Sequence, residues 1–329
     1  MTTDGGRPSN VSPRLEAIDQ FRGFAILLMV LADYMGDVER IPAWLKHAPD
    51  IGFTVIDLIA PLFIFAIGLT YGLSYRRRVS RTGRWKTVEH FLVRYFALLG
   101  AGFLLTLGGN LSGVYESRYN WGLLQALGMA GLLTLPVISL RSWMRWVIGL
   151  ALLGGYQLLL DRYWLDMVLN SPHGGLPGAL GWGAMLIMAT ALADLYHDAA
   201  HGRKRYPYVA LLVLAAGIAL SFLVPIAKVR ISVSYVLITL GASALIFWGF
   251  HWLQARWHLR LPMLTEWGKN ALLLYFLHGV LLGVFALPSI PAWYVEAPVW
   301  LVVVQATSMV AVLSWIAWYL DKKGLYFSL

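Results

Sequence analysis

Runs of residues almost free of charge recur along the whole chain, each close to the length of about 20 that an α-helix needs to cross the hydrocarbon core of a bilayer. Hydrophobic residues make up 59% of the sequence and charged residues 13%. A soluble domain carries about a quarter charged residues. The pattern therefore predicts an all-α integral membrane protein. About ten transmembrane helices are read from it: Phe21 to Tyr34, Phe53 to Tyr75, Val88 to Leu107, Trp121 to Leu140, Trp143 to Leu160, Leu176 to Tyr196, Tyr208 to Pro225, Ser232 to Leu253, Leu264 to Leu287 and Pro298 to Leu320. Only Arg141 and Ser142 separate the fourth from the fifth, so a tight helical hairpin is expected there. Residues 1–13 are polar and are expected to form a disordered cytoplasmic N-terminus, with 14–329 making one membrane domain.

Orientation follows from Lys and Arg, which accumulate in cytoplasmic loops. Arg76, Arg77, Arg78, Arg81, Arg84 and Lys86 follow the second span, and further basic residues follow the fourth, sixth, eighth and tenth. The opposite loops hold Arg40, Lys46, Arg118, Arg162, Lys228 and Arg230, thinly spread. Both termini are thus expected inside and His47 outside. The net charge of +9 is read as this topogenic bias, reinforced by anionic lipid headgroups, and not as a nucleic-acid surface. With no cysteine, disulfides and thiol chemistry are excluded. The 15 Trp and 16 Tyr gather near span ends, as aromatic belts do.

Against this background the ionisable residues inside apolar runs stand out, because such groups mark a lined cavity, a buried pair or a pathway. Asp19 and Arg22, three apart, share a helix face; they form either a surface ion pair or a cationic site for an anionic ligand. Asp33 ends the same helix on the external side, either as a solvated carboxylate or as a hydrogen-bond partner that fixes the tautomer of His47. His47 sits in a loop, where a histidine is either simply solvated or a proton handler. The helix that follows carries Thr54, Asp57, Pro61 and Gly68, and proline frees a carbonyl one turn back and kinks the helix. Gln125 falls within a span. Asn270, Leu274 and His278, spaced by four, form one stripe beside Tyr275, either as satisfied interhelical hydrogen bonders or as cavity lining. His173 reads as an external, flexible residue, and His90, His197, His201, His251 and His258 as headgroup contacts. No metal-ligand spacing, phosphate-cradling glycine loop or nucleophile elbow is found, so no metal is expected.

Several blocks together resemble the heparan-alpha-glucosaminide N-acetyltransferase family of transmembrane acyltransferases and its bacterial relatives. They are Arg14-Leu15 with Asp19-x-Phe21-Arg22-Gly23; Lys46-His47-Ala48 followed by Gly52-Phe53-Thr54-Val55-x-Asp57-Leu58-x-x-Pro61-x-Phe63-x-Phe65-x-x-Gly68; Leu124-Gln125-x-Leu127-Gly128; and Gly268-x-Asn270-Ala271-x-x-x-Tyr275-x-x-His278. The resemblance implies transfer of an acetyl group from cytosolic acetyl-CoA across the membrane to the amine of a terminal amino sugar. It implies that His47 is catalytic, as general base or transient acetyl carrier. An asparagine stands in the family where this chain has Asp33, here assigned to orient the imidazole. The resemblance also implies a homodimer, and the bacterial inner membrane as the location. On this reading Arg22, Arg94 and Lys269 meet the phosphates of acetyl-CoA. Gln125, Asn270 and His278 stabilise charge on its thioester oxygen, and Asp57 and Tyr275 contact the acceptor sugar. The rival readings are an O-acyltransferase of cell-surface glycans and a glycolipid or anion transporter that uses the same buried charges.

Overall fold

The computed structural model describes residues 13–111, 121–286, 288 and 290–326. The polar N-terminal residues 1–12 and the loop position Arg118 lie outside the described residues. Among the described residues every regular element is helical. The α-helices are α1 (Pro13–Gly36), α2 (Ile59–Thr82), α3 (Arg84–Leu111), α4 (Leu123–Thr134), α5 (Ser142–Leu159), α6 (Leu165–Leu169), α7 (Gly175–His197), α8 (Gly202–Ser221), α9 (Val233–Trp257), α10 (Pro262–Lys269), α11 (Ala271–Ala286) and α12 (Val299–Lys323). All ten expected spans coincide with helices. Six are long and apolar enough to cross a membrane by length and composition, and a seventh is counted if α10 and α11 form one broken span. The protein is a multi-pass, all-α membrane protein.

Helix α7 is the centre of the bundle, with 83% of its apolar window buried, whereas α3 and α12 bury only 28% and 22% of theirs. It packs on α2, α4 and α5. The outer helices turn large apolar side chains outward, among them Phe96 and Leu104 of α3 and Trp300 and Val303 of α12. In water such faces would drive aggregation; in lipid they are the solvent-facing surface. The small residues of α7 and its neighbours permit close approach, as Gly149 does against Met188.

Two local features depart from the sequence reading. Pro61 does not kink a helix in mid-course, because a tighter helical turn, Val55–Leu58, precedes it and α2 starts only at Ile59. Proline is tolerated in a first turn, where backbone donors have no partner in any case. The carbonyl that it frees, that of Asp57, instead accepts from Tyr235 Oη of α9 at 2.7 Å. The ninth span is broken: α10 and α11 meet at 92° on either side of Asn270.

The break follows from how α10 is held. Gly23 of α1 abuts the carbonyl of Leu264, and Gly268 of α10 abuts the carbonyl of Asp19, so the two backbones touch where any Cβ would collide. Arg22 Nη1 donates to the Gly268 carbonyl at 3.2 Å across the same contact. The buried Trp267 then ties α10 to α12 through Nε1 and Ser314 Oγ at 3.1 Å. Pinned on both sides, α10 lies across α1 and the chain must turn before α11. Alanine at Gly23 or Gly268 is expected to destabilise the fold by about 1–3 kcal/mol through overpacking. Alanine at Gly283, where an added Cβ meets nothing within 4 Å, should leave thermal unfolding in detergent unchanged or slightly raised.

Candidate active site

The loop from α1 to α2 delivers His47 to a buried carboxylate. Asp57 is fully buried, and its placement is local in origin. Thr54 opens the Val55–Leu58 turn and caps it reciprocally with Asp57. The Thr54 amide and hydroxyl donate to Asp57 Oδ2 at 2.9 and 3.1 Å, and the Ala48 amide reaches the same oxygen at 3.4 Å. The other oxygen, Oδ1, lies 2.9 Å from His47 Nδ1. An ionised carboxylate only accepts, so Nδ1 carries the proton and Nε2 is the basic nitrogen. The imidazole itself is half-exposed.

His47 opens into a cavity of about 220 Å³ that is also lined by Asp33, Thr106, His173, Lys228 and Tyr275. The expected pairing of Asp33 with His47 is not formed. Asp33 ends its helix facing α11, and its Oδ2 lies 2.9 Å from Nε2 of the buried His278. Asp57, assigned to the acceptor sugar, has its carboxylate turned away from the cavity and occupied by the loop and by His47. The cavity thus has two carboxylate–imidazole pairs. In one the imidazole faces the cavity, and in the other the carboxylate does.

A second, larger cavity of about 860 Å³ lies on the other side of Leu123 and Tyr275, which line both. It holds three of the expected phosphate ligands, Arg22, Arg94 and Lys269, together with Arg77, Arg78, Arg81 and His90. Arg22 pairs with Asp19 at 3.3 Å, as its spacing predicts, and Lys269 with Asp321 at 2.7 Å. Arg78 and Arg94 each bury a guanidinium Nε without a hydrogen-bond partner. A crowd of cations with unspent donors suits a polyanion. One face of α2 links the two cavities: Ile59 and Ala60 line the small one, and Phe63, Ala66, Ile67, Thr70, Ser74 and Arg77 to Arg81 line the large one. From Ala60 to Arg81 this face runs about 31 Å at helical rise.

Four expected residues line neither cavity: Asp57 and His278, which meet the small one through His47 and Asp33, and Gln125 and Asn270. Gln125 is buried and caps α4, accepting from the Gly122 amide at 3.0 Å and donating to Thr106 Oγ1 at 3.1 Å. It meets the wall of the small cavity through Gly122 and Thr106, which both line it. Asn270 is buried in the break between α10 and α11, where its carbonyl accepts from the Leu274 amide at 3.0 Å. The stripe Asn270, Leu274 and His278 is buried throughout.

Other residues were missed. His173, read as a flexible residue, is anchored: its carbonyl accepts from Trp182 Nε1 at 3.1 Å, and it lines the small cavity beside His47. Lys228, read only as a loop charge, places Nζ 2.9 Å from His47 Nδ1, 3.0 Å from Nε2 and 4.0 Å from Asp57 Oδ1. Burial pushes its ammonium down to about 8, and Asp57 and Asp33 partly offset this. His90 lines the basic cavity, while His197 and His251 bond between helices, to the Leu69 carbonyl and to Tyr196 Oη.

Fold and site together define a multi-pass membrane protein in which a basic cavity and a cavity lined by histidine and carboxylate share a wall. Comparison with known proteins gives this class a family. The catalytic-region profile of heparan-alpha-glucosaminide N-acetyltransferase matches residues 14–177. The heparan-alpha-glucosaminide N-acetyltransferase of Homo sapiens is 30% identical over 205 residues, 54% of this chain and 29% of that protein. That of Mus musculus is 29% identical over 198 residues, 52% of this chain and 28% of that protein. The matched stretch therefore spans less than a third of either relative. Through residues 14–177 the chain belongs to the heparan-alpha-glucosaminide N-acetyltransferase-like family of membrane acyltransferases.

The His47 loop is tied to the loop joining α8 to α9. Arg230 grips both carboxylate oxygens of Asp50, and the Gly52 amide donates to the Ile226 carbonyl at 2.8 Å. Hydrogen bonding from Arg230 holds the Asp50 carboxyl below its ordinary range. A carboxyl so depressed contributes stability that is complete above its unfolded value of about 3.9 and is lost as pH falls through the folded value. Being partly exposed, the pair is worth at most about 1 kcal/mol. The melting difference between wild type and Arg230→Met, measurable at neutral pH, should therefore begin to shrink below about pH 4 and vanish only once the pH is below the folded value of Asp50.

Proposed function

We propose that the protein transfers an acetyl group from acetyl-CoA to the amine of an amino sugar, with the donor's nucleotide in the basic cavity and the acceptor in the cavity of His47. The observation that carries this reading is the shared wall at Leu123 and Tyr275: two chemically different cavities meet there, one suited to phosphates and one built around a base. The excess of Lys and Arg beyond the second, sixth and tenth spans supports a cytoplasmic basic cavity and an acceptor on the far side of the membrane. An extended pantetheine arm following the α2 face would bring the thioester toward the wall.

In this scheme the acceptor nitrogen attacks the thioester carbonyl and gives its proton to Nε2 of His47. Asp57 holds Nδ1–H and stabilises the imidazolium that forms. As the C–S bond breaks, the imidazolium returns that proton to the departing sulfur, leaving an amide and free CoA. Asp33, held by His278, offers a carboxylate oxygen to the acceptor. Because both cavities open on one wall, donor and acceptor can be bound together, which favours direct transfer over an acetyl-histidine intermediate.

Purified protein supplied with labelled acetyl-CoA and a panel of amino sugars should yield acetylated product detectable by mass spectrometry. His47→Ala and Asp57→Asn are each expected to reduce the rate by about 10²–10⁴. Arg78→Gln and Arg94→Gln should raise KM for acetyl-CoA and leave kcat largely intact. Movement of a sugar or anion across vesicles containing the protein, with no acetylated product, would replace this reading with transport.

A further inference from the structure

In the Asp33–His278 pair the imidazole is the buried partner, and this decides where the charge lies. The two side chains are 43% and 7% exposed, and Nδ1 of His278 is buried without a hydrogen-bond partner. A doubly protonated ring would leave that nitrogen as an unpaired buried donor, which is costlier than a bare lone pair. The ring is therefore neutral and gives its one N–H, on Nε2, to Asp33 Oδ2 at 2.9 Å. Such a bond favours the ionised carboxylate and leaves its negative charge uncancelled at the cavity wall.

The groups around Asp33 do not supply the counter-charge. Asp57 and His47 approach from the α1–α2 loop, Lys228 from the α8–α9 loop, His173 from the turn before α7, Tyr275 from α11 and Tyr294 from the segment before α12, while Asp37 follows one turn on. Among the described residues that line the cavity, Lys228 is the one lysine or arginine, and its Nζ lies 4.0 Å from the Asp57 carboxylate. His173, like His278, buries Nδ1 without a partner and is held neutral for the same reason. Lys228 feels both Asp57 and Asp33, but one ammonium cannot neutralise two carboxylates. The cavity is one positive charge short.

We propose that the missing charge is the acceptor's own: the amino sugar binds as an ammonium ion on Asp33, and Asp33 takes the first of the two protons that its nitrogen must lose. This inference rests on the proposed reaction and names the form in which its acceptor arrives. An ammonium has no lone pair, so one proton leaves before attack and a second as the N–C bond forms. His47 takes the second and returns it to sulfur. Asp33 receives the first, which makes a neutral carboxyl and a free amine. Covered by acceptor and acetyl group, the ion pair loses its water, and desolvation raises a carboxyl and lowers an amine, which favours that transfer. The carboxyl gives its proton to water as product leaves, so one proton is freed for each amide formed. A hydroxyl acceptor brings no charge to match Asp33, and the site thereby selects amines.

Calorimetry of the full-length protein in lipid nanodiscs at about pH 6.5, where a sugar amine is mainly protonated, tests the recognition. Glucosamine should bind at least about tenfold more tightly than glucose. Asp33→Asn should abolish that preference and Asp33→Glu restore it in part. Kinetics read the proton. The ratio of kcat/KM for glucosamine, wild type over Asp33→Asn, should fall about tenfold per pH unit from about pH 6 to 7.5, because only the wild-type transition state holds the extra proton, while the titration of His47 is common to both. Were Asp33 merely structural, its loss would weaken both sugars alike and the ratio would not move with pH; either result overturns the proposal. If Asp33→Asn does not fold, Asp33→Ser takes its place, and a wild type that binds glucose as tightly as glucosamine overturns the proposal by itself. A wild type that binds glucosamine through Asp33 and acetylates nothing overturns the proposed reaction and leaves the recognition standing. Acetylation of glucosamine with a ratio that ignores pH does the reverse.

Discussion

A fully buried carboxylate without a guanidinium on it must be satisfied by many weaker partners, and around Asp57 those partners assemble the site. Its side chain gathers the amides of Ala48 and Thr54, the Thr54 hydroxyl and the His47 ring. Its main-chain carbonyl, orphaned by Pro61, accepts from Tyr235 of α9. One residue therefore fastens a long irregular loop to the start of α2 and α2 to α9. Leaving any of these groups unpaired in a buried setting costs about 1–3 kcal/mol, so the loop conformation and the chemistry of His47 are held by the same bonds.

Much of this was legible before any coordinates. The spans, the Asp19–Arg22 pair and the stripe from Asn270 to His278 all follow from periodicity and spacing, which report local geometry well. Pairings set by tertiary structure were harder to read. Asp33 and His47 are close in sequence, but α1 carries Asp33 toward α11, and the Thr54 cap gives His47 a nearer partner. Asp57 belongs to a Thr-x-x-Asp capping pattern that was visible in the sequence and was passed over in favour of its acidity. Lys228 could not be weighed in isolation, since it becomes interesting only through His47, 181 residues away, and His173 only through the cavity that it shares with His47. The positive φ at Ile231, between α8 and α9, leaves no trace in sequence at all, because an isoleucine there looks like a buried loop residue. Likewise the break at Asn270 depends on two glycines 245 residues apart, Gly23 and Gly268, meeting other backbones.

The paired cavities set out a division of labour. Charge is concentrated where the wall is open and basic, and the titratable groups near His47 come as matched donor and acceptor pairs. Tyr275 belongs to both chambers and sits one turn before His278, so α11 touches the basic chamber, the His47 chamber and the second carboxylate–imidazole pair. The 92° turn that precedes it also places Lys269 at the basic chamber.

The origin of the site residues has a consequence for how the chain divides. The profile match stops at residue 177, just inside α7, and contains Asp33, His47, Asp57 and the arginines of α2 and α3. Lys228, Lys269, Tyr275 and His278 all lie beyond it, and so does Tyr235, which closes the backbone of Asp57. The recognisable half thus carries the His47 imidazole and Asp57, while Lys228, which lies against that ring, is on the other side of the seam. Splitting the polypeptide at that seam would give two fragments that are each chemically incomplete and that regain a shared centre only by docking back through α7 and α9.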